Sequence, residues 1–252
     1  MILLFDIGNS RLKRAILEGG ALQSTTRFDY IEAGNAPDCL GDIKQQPEAI
    51  YIASVGSEDI ESQIADACHQ RWGITPVKLL TTTFCAGVSN GYVSPSVLGV
   101  DRWAAMIGAF KLIGGSVLVI DCGTACSADF VDHNGKYLGG AIIPGLKMMQ
   151  QSLRAGTEHI GSAESEDMIP GFGTSTTGCI QLGVTEALLG FIDRMERKAL
   201  LESGGEGVSM VITGGDAASL LPRLGSHIRY EKELVFMGMA GMVAERGSSL
   251  RL

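Results

Sequence analysis

The sequence predicts a mixed α/β fold built from two similar subdomains with a cleft between them. An apolar run that ends in Asp-x-Gly occupies residues 2–8 and recurs at residues 117–123. A second strand-like segment and a turn follow each copy. The repeat unit is far longer than that of a solenoid, so it indicates duplication of a subdomain. We therefore divide the chain into residues 1–115 and 116–252.

The first half reads as a strand meander followed by alternating helices and strands. We predict strands at 2–7, 12–17, 21–28, 49–53 and 77–80, and helices at 38–46, 58–72 and 101–112. Residues 81–98 are rich in Thr, Ser, Gly and Asn, which is typical of a long functional loop. Gly114 and Gly115 then end the last helix.

The second half repeats the meander. We predict strands at 117–121, 125–131, 136–142 and 208–213, and helices at 146–153, from Thr174 or Ser175 to about 201, and at 234–246. Either hydroxyl residue can cap the long helix. Residues 154–172 are expected to form a polar connection. This alternation of elements predicts an α/β architecture.

Composition excludes several classes of function. The net charge of -8 and the pI near 5.0 argue against a nucleic-acid partner, since phosphate binding needs a basic face. The apolar stretch at 234–244 is too short to span a bilayer, and no secretory signal is evident. We expect a soluble, cytoplasmic protein with no membrane partner. Its six cysteines show no metal-binding spacing and should be reduced thiols.

The first chemical motif is Asp6-x-Gly8-Asn9-Ser10-x-x-Lys13. Glycine allows backbone N–H groups to approach an anion, and the carboxylate can hold a hydrated cation at the same place. Lys13 can reach phosphate oxygens as a point charge. The motif therefore suits a metal–nucleotide phosphate, although an ordinary hairpin with a solvated lysine remains the alternative.

The second motif is Gly99-Val100-Asp101-Arg102, which opens a helix after the long loop. Asp101 can accept a hydroxyl proton, and Arg102 can clamp a carboxylate with two hydrogen bonds. Asp101 can also be a simple capping residue. A third motif, Gly214-Gly215-Asp216, could seat a flat ring on its backbone, but it is also a generic turn. Walker, dinucleotide-binding and protein-kinase signatures are absent from the sequence.

Together these motifs resemble the acetate and sugar kinase/Hsc70/actin superfamily, whose fold is a duplicated actin-like, ribonuclease H-like ATPase fold. Within it they closely resemble the type III pantothenate kinases. The resemblance extends over the whole chain and rests on residues 6–13, 90–92, 99–103, 121–125, 138–140, 143–145, 173–176 and 213–217.

The resemblance implies ATP-dependent phosphorylation of pantothenate to 4'-phosphopantothenate, the first step of coenzyme A biosynthesis. Asp101 would be the catalytic base. The implied ATP-binding residues are Asp6, Ile7, Gly8, Asn9, Ser10, Arg11, Leu12, Lys13 and Thr124. The implied pantothenate-binding residues are Tyr92, Gly99, Val100, Asp101, Arg102 and Thr176. Asp6 would help to hold Mg²⁺ with ATP, and Asp121 would bind a monovalent cation, K⁺ or NH₄⁺. A homodimer is also implied.

Two departures from the family pattern bear on these assignments. Ser10 stands where the family often has Thr, which keeps the hydroxyl. Cys122 and Cys126 flank the second turn, which raises the hypothesis of thiol sensitivity. Two alternatives stay open: another kinase or phosphatase of the superfamily that acts on a sugar or acetate-like substrate, and a non-catalytic regulatory protein that binds nucleotide.

Overall fold

The computed structural model describes residues 1–29, 39–156 and 171–249. Within these ranges the strands are β1 (Ile2–Ile7), β2 (Arg11–Glu18), β3 (Ala21–Asp29), β4 (Ala49–Ser54), β5 (Val77–Lys78), β6 (Phe84–Cys85), β7 (Val88–Ser89), β8 (Val117–Cys122), β9 (Ala125–Val131), β10 (Tyr137–Pro144), β11 (Ser209–Thr213) and β12 (Ile228–Tyr230). The α-helices are α1 (Glu58–Trp72), α2 (Val100–Ile113), α3 (Leu146–Ala155), α4 (Thr176–Glu202), α5 (Ala217–Leu220) and α6 (Leu234–Ser249), with short 3₁₀ helices at Pro95–Val97 and Leu221–Arg223.

The first five-stranded sheet has the order β3-β2-β1-β4-β5. Its central strand, β1, runs antiparallel to β2 and parallel to β4. Leu3, Phe5 and Ile7 on β1 pack with Ile50 and Ile52 of β4 in one buried cluster. Because β1 is buried on both faces, it reads as a continuous apolar run and not as an alternating one.

The second five-stranded sheet has the order β10-β9-β8-β11-β12 and repeats the first. The central strand β8 pairs in parallel with β11, so that Asp121 lies opposite Thr213. Leu118 and Ile120 anchor a buried cluster beneath this sheet. The shared strand order confirms the duplicated α/β fold that the sequence predicts.

The chain forms two compact units whose membership differs from the division at residue 115. The first contains Met1–Gly115, Val131–Leu138 and the chain from Glu233, and the second contains Ser116–Phe130 and Gly139–Lys232. The turn between β9 and β10 and the helix α6 therefore belong to the first unit. Sequence proximity had placed both segments with the second half.

Two glycines explain why α6 belongs to the first unit. A Cβ atom on Gly238 of α6 would overlap the carbonyl of Ala104, and one on Gly108 of α2 would overlap the carbonyl of Leu234. The two helices therefore cross at a distance that only glycine allows at these positions. This packing supports α2, which carries Asp101 in its first turn.

The predicted helix at 38–46 is wrong for residues 39–46, which form a turn at 39–42 followed by irregular structure; Asp38 lies outside the described residues. Arg14 supplies the reason. Its buried guanidinium donates to the Cys39 carbonyl and, at 2.6 and 2.7 Å, to both carboxylate oxygens of Asp42. The ion pair lowers the pKa of Asp42, mainly through these side-chain hydrogen bonds.

Most other predicted elements are confirmed within one or two residues. Ser175 caps α4, and its Oγ accepts from the Gly178 N–H at 3.1 Å. The predicted polar connection at 154–172 starts later, since α3 continues to Ala155. Residues 157–170 of that connection lie outside the described residues.

Candidate active site

The first predicted phosphate motif is a hairpin turn between β1 and β2. The Gly8 N–H closes the turn on the Arg11 carbonyl at 3.0 Å. The strand register places Asp6 opposite Lys13, and Lys13 Nζ lies 3.1 Å from Asp6 Oδ2. The Asp6 side chain is 8% exposed and that of Lys13 is 31% exposed. A buried carboxylate therefore holds an ammonium group that stays accessible beside the turn.

Burial limits how the other residues of this motif can bind a ligand. Ile7 and Leu12 are fully buried and pack in the core of the first unit. Their backbone groups are thus the parts that a ligand at this turn could contact. Asn9 is exposed at the tip of the turn, and Ser10 is half-buried.

The loop after β4 packs directly on this turn. The N–H groups of Val55 and Gly56 both donate to the Ile7 carbonyl, at 3.0 and 3.1 Å. A Cβ atom on Gly56 would overlap the Gly8 carbonyl. The absence of a side chain at Gly56 therefore allows this loop to pack against the turn of the predicted phosphate motif. Sequence reasoning did not identify Gly56 as part of the site, because no local pattern pairs residue 56 with residue 8.

Asp101 lies in the first turn of α2, and its Oδ1 accepts from the Arg102 N–H at 2.8 Å. Burial raises the pKa of Asp101, and the negative charge of Asp6 raises it further. The Arg102 N–H and guanidinium oppose this rise without cancelling it. The structure thus brings the two predicted carboxylates within electrostatic reach of each other. A carboxylate with a raised pKa is also a better proton acceptor.

Gly99 and Val100 set the position of Asp101. A Cβ atom on Gly99 would lie only 2.6 Å from Asp101 Oδ1 and 3.6 Å from Val55 Cγ1. A side chain at this position would therefore displace the carboxylate. Val100 is 7% exposed, so a ligand can reach its backbone more readily than its side chain.

Two tyrosines hold the guanidinium of Arg102. Arg102 Nη1 donates to the Tyr92 hydroxyl at 3.1 Å, and Nη2 donates to the Tyr137 hydroxyl at 2.9 Å. The tyrosine rings stack, with centroids 5.7 Å apart and an interplanar angle of 24°. Sequence reasoning predicted Arg102 and Tyr92 but missed Tyr137, which reaches the site through long-range packing of the β9–β10 turn.

Side-chain hydrogen bonds fix the long loop before α2. Asn90 Nδ2 donates to the carbonyls of Thr82 and Pro95, at 3.2 and 3.4 Å, and Asn90 Oδ1 accepts from the Tyr92 N–H at 2.9 Å. Thr81 Oγ1 donates to the Leu98 carbonyl at 2.8 Å. These hydrogen bonds order the loop and hold Tyr92 next to Arg102.

The second Asp-x-Gly motif lies in the second unit, at the end of β8. The Gly145 N–H donates to the Thr124 carbonyl at 3.0 Å, and Thr124 is exposed. Gly214 has φ +99°, and a Cβ atom there would lie 2.6 Å from Asp121 Oδ1. The third predicted motif therefore packs its glycine backbone against the Asp121 carboxylate. Thr176 is exposed at the start of α4 in the same unit.

The donor groups bear on which ions could bind. The part of the chain that the structure describes holds no group of three or more His, Cys, Asp or Glu side chains suited to a metal ion. Asp6 provides one carboxylate, which suits Mg²⁺ that arrives with nucleotide phosphates. Asp121 provides a half-buried hard oxygen donor, which suits a monovalent cation.

Cys122 and Cys126 face each other across the second hairpin with their Sγ atoms 3.7 Å apart. Both are buried, and the neighbouring Cys126 thiol and burial raise the pKa of Cys122. A thiol that resists ionisation in a closed core is a poor nucleophile. This environment argues against the thiol sensitivity considered from the sequence. The exposed cysteine is Cys179.

The repeated sheet and the acid-ended hairpins define the class of duplicated actin-like, ribonuclease H-like ATPase folds. Residues 2–198 match the family model for type III pantothenate kinase. The chain is 33% identical to the type III pantothenate kinase of Nitrosococcus oceani, over all of this chain and 96% of that protein. It is 34% identical to that of Pseudomonas putida, over 95% and 98% of the two chains. The chain belongs to the type III pantothenate kinase family.

A solved structure also shares the fold. The protein is described as a conserved Baf family transcriptional activator from Campylobacter jejuni, and it superposes with a TM-score of 0.60. The match covers 98% of this chain and 99% of that one, at 20% sequence identity. At this identity the likeness supports the fold alone.

Proposed function

We propose that this protein transfers the γ-phosphoryl group of ATP to the hydroxyl of pantothenate, forming 4'-phosphopantothenate for coenzyme A biosynthesis. The proposal rests on the position and environment of the Asp101 carboxylate. It lies beside Arg102 at the start of α2, and burial raises its pKa. Family membership supplies the substrate.

Asp101 is the proposed catalytic base. It accepts the proton of the attacking hydroxyl, a role that typically contributes about 10²- to 10⁴-fold in rate. Arg102 attracts the pantothenate carboxylate by its positive charge. Tyr92, Gly99 and the Val100 backbone line the substrate site, and Thr176 makes a further substrate contact.

ATP binding is proposed for residues 6–13 and Thr124. Backbone N–H groups of the β1–β2 turn approach the phosphates, and Lys13 offsets their charge. Asp6 helps to hold Mg²⁺, which when bound neutralises charge on the phosphate oxygens. Positioning and charge neutralisation are the main requirements of phosphoryl transfer, and the first unit supplies residues for both.

Asp121 is the proposed site of a monovalent cation, K⁺ or NH₄⁺. Its carboxylate lies against the Gly214 backbone in a half-buried position, which supports this assignment. A bound cation would add positive charge near Thr124. The matched test is Asp121→Asn, which should abolish any stimulation of turnover by potassium.

A cytoplasmic homodimer is the proposed working form. Residues 81–98, the substrate loop, carry exposed apolar side chains at Phe84, Val93 and Val97. A second copy of the chain could cover this apolar surface. In the part of the chain that the structure describes, we find no helix with the length and hydropathy of a membrane span. Light scattering of the purified protein tests the dimer.

Release of ADP by the purified protein tests the function. ATP and Mg²⁺ are supplied with pantothenate, with glucose, with acetate or with no acceptor, in KCl or in NaCl. We expect turnover that needs pantothenate and rises with potassium. Turnover with glucose or acetate alone would support another kinase of the superfamily. Absence of turnover with every acceptor would favour a nucleotide-binding regulatory role.

A further inference from the structure

The turn between β9 and β10 completes the Arg102 site. Although it follows β9 in the second half of the sequence, this turn packs in the first unit with the substrate loop. The Ser89 N–H donates to the Gly135 carbonyl at 2.8 Å, and Ser89 pairs with Lys136 in a parallel bridge. The loop and the turn are thus joined by backbone hydrogen bonding.

Two glycines make this close approach possible. A Cβ atom on Gly135, whose φ is +78°, would overlap the Gly87 carbonyl. A Cβ atom on Gly91 would overlap the Tyr137 carbonyl. The backbone on each side of Tyr137 is therefore in contact with the substrate loop. Movement of the turn would displace Tyr92, the residue after Gly91.

Tyr137 joins this scaffold to the proposed substrate-binding arginine. It is fully buried, it accepts from Arg102 Nη2 at 2.9 Å, and its ring stacks on Tyr92. A guanidinium held at both terminal nitrogens loses most of its freedom to rotate before substrate arrives. Preorganisation of this kind increases affinity because less conformational entropy is lost on binding.

We infer that Tyr137 is a positioning residue that sets the guanidinium of Arg102 for the carboxylate of the acceptor substrate. This inference rests on the proposed function, since it deepens the role given there to Arg102. Tyr137 acts through Arg102 and the loop, so its removal should weaken acceptor binding more than the chemical step. The KM for pantothenate should therefore rise while kcat and the KM for ATP change little.

The kinetic test is Tyr137→Phe, which keeps the ring stack and removes the hydroxyl. Binding that has to immobilise a free side chain costs about 0.5–1.5 kcal/mol, so we expect a rise in KM for pantothenate of about 2- to 10-fold. Tyr51→Phe is the matched control, because Tyr51 is a half-buried tyrosine on β4 outside the site. In an Arg102→Lys background, Tyr137→Phe should add little further effect.

A second measurement needs neither turnover nor pantothenate. In protein labelled with ¹⁵N-arginine, the Nη signals of Arg102 are assigned by their loss in Arg102→Lys. We expect separate, slowly exchanging Nη signals in the wild type and faster exchange in Tyr137→Phe. A wild type inactive on pantothenate would refute the proposed function but leave this readout to decide the inference. The inference would be overturned if Tyr137→Phe left the Nη exchange of Arg102 unchanged. It would also be overturned if the effects of Tyr137→Phe and Arg102→Lys on the KM for pantothenate were fully additive.

Discussion

Lys13 and Asp6 lie opposite each other on the first hairpin, with Nζ 3.1 Å from Oδ2. The carboxylate is nearly buried, whereas the ammonium remains partly accessible. The pair thus holds a positive charge beside the Gly8 turn. In the proposed reaction the same ammonium would face the phosphates of ATP.

We predict that Lys13→Met raises the KM for ATP and lowers kcat. The variant removes a charge that offsets the phosphates and leaves Asp6 buried without its ammonium partner. A combined loss of about 10²-fold or more in kcat/KM for ATP is expected. Lys78→Met is the control, since Lys78 forms an exposed ion pair with Glu61 at 2.9 Å on the same unit. Equal effects of the two substitutions would contradict the role of Lys13.

The raised pKa of Asp101 predicts how activity depends on pH. The base must be ionised, so kcat/KM for pantothenate should fall as pH drops through the Asp101 pKa. Because that pKa is raised above its ordinary value, the fall should begin at a higher pH than for an unperturbed aspartate. A pH–rate profile at saturating ATP checks this. An acid limb at the pH of an ordinary aspartate would contradict it.

The same shift predicts a stability effect of Asp101→Asn. The folded state binds the Asp101 proton more tightly than the unfolded state, so the ionised side chain destabilises the fold above its folded pKa. The neutral asparagine keeps an oxygen for the Arg102 N–H and should raise the melting temperature near pH 7. The difference should shrink as pH falls through the pKa and Asp101 becomes protonated. Melting curves at several pH values measure this, and a lower melting temperature at pH 7 would argue against it.

The crossing of α2 and α6 predicts a strong effect of Gly238→Ala. The added methyl would overlap the Ala104 carbonyl and force the helices apart, at a cost of about 1–3 kcal/mol or more. Gly190→Ala in α4 is the matched control, since nothing lies within 4 Å of its Cβ position. The control should stabilise the protein by about 1 kcal/mol through helix propensity. Urea unfolding of both variants measures the difference, and equal stabilities would contradict the close crossing.

Thiol labelling tests the environments of the cysteines. Cys179 is exposed, whereas the other five of the six are buried, and burial raises the pKa of Cys68 to about 12. One thiol should react rapidly with an aromatic disulfide reagent in the native protein, and six should react in denaturant. Cys179→Ser should remove the rapid phase. Rapid native labelling of Cys122 or Cys126 would instead restore the hypothesis of thiol sensitivity.

The sequence predicted the fold wherever the signal was local. Apolar runs marked β1 and β8, and Ser175 marked the start of α4. The predicted helix at 38–46 was wrong for residues 39–46 because the buried Arg14 on β2 orders Cys39 and Asp42. A tertiary ion pair of this kind leaves no periodic pattern in the segment that it fixes.

The sequence predicted only part of the candidate site, again because local signals can be read and long-range packing cannot. Asp6, Lys13, Asp101 and Arg102 belong to short motifs that can be read along the chain. Gly56 and Tyr137 enter through packing between segments distant in sequence, and one sequence does not show such pairings. The roles assigned to all of these residues, and to Thr124, Asp121 and Thr176, stay predictions.

The most direct test of Asp101 as the base in pantothenate phosphorylation is the rate of ADP release by Asp101→Asn, compared with wild type, with ATP, Mg²⁺ and pantothenate at saturation. We expect pantothenate-dependent turnover in the wild type and a loss of about 10²- to 10⁴-fold in the variant, with a native circular dichroism spectrum and unchanged ATP affinity. A variant with near-normal kcat, or a folded wild type that pantothenate does not stimulate, would contradict it.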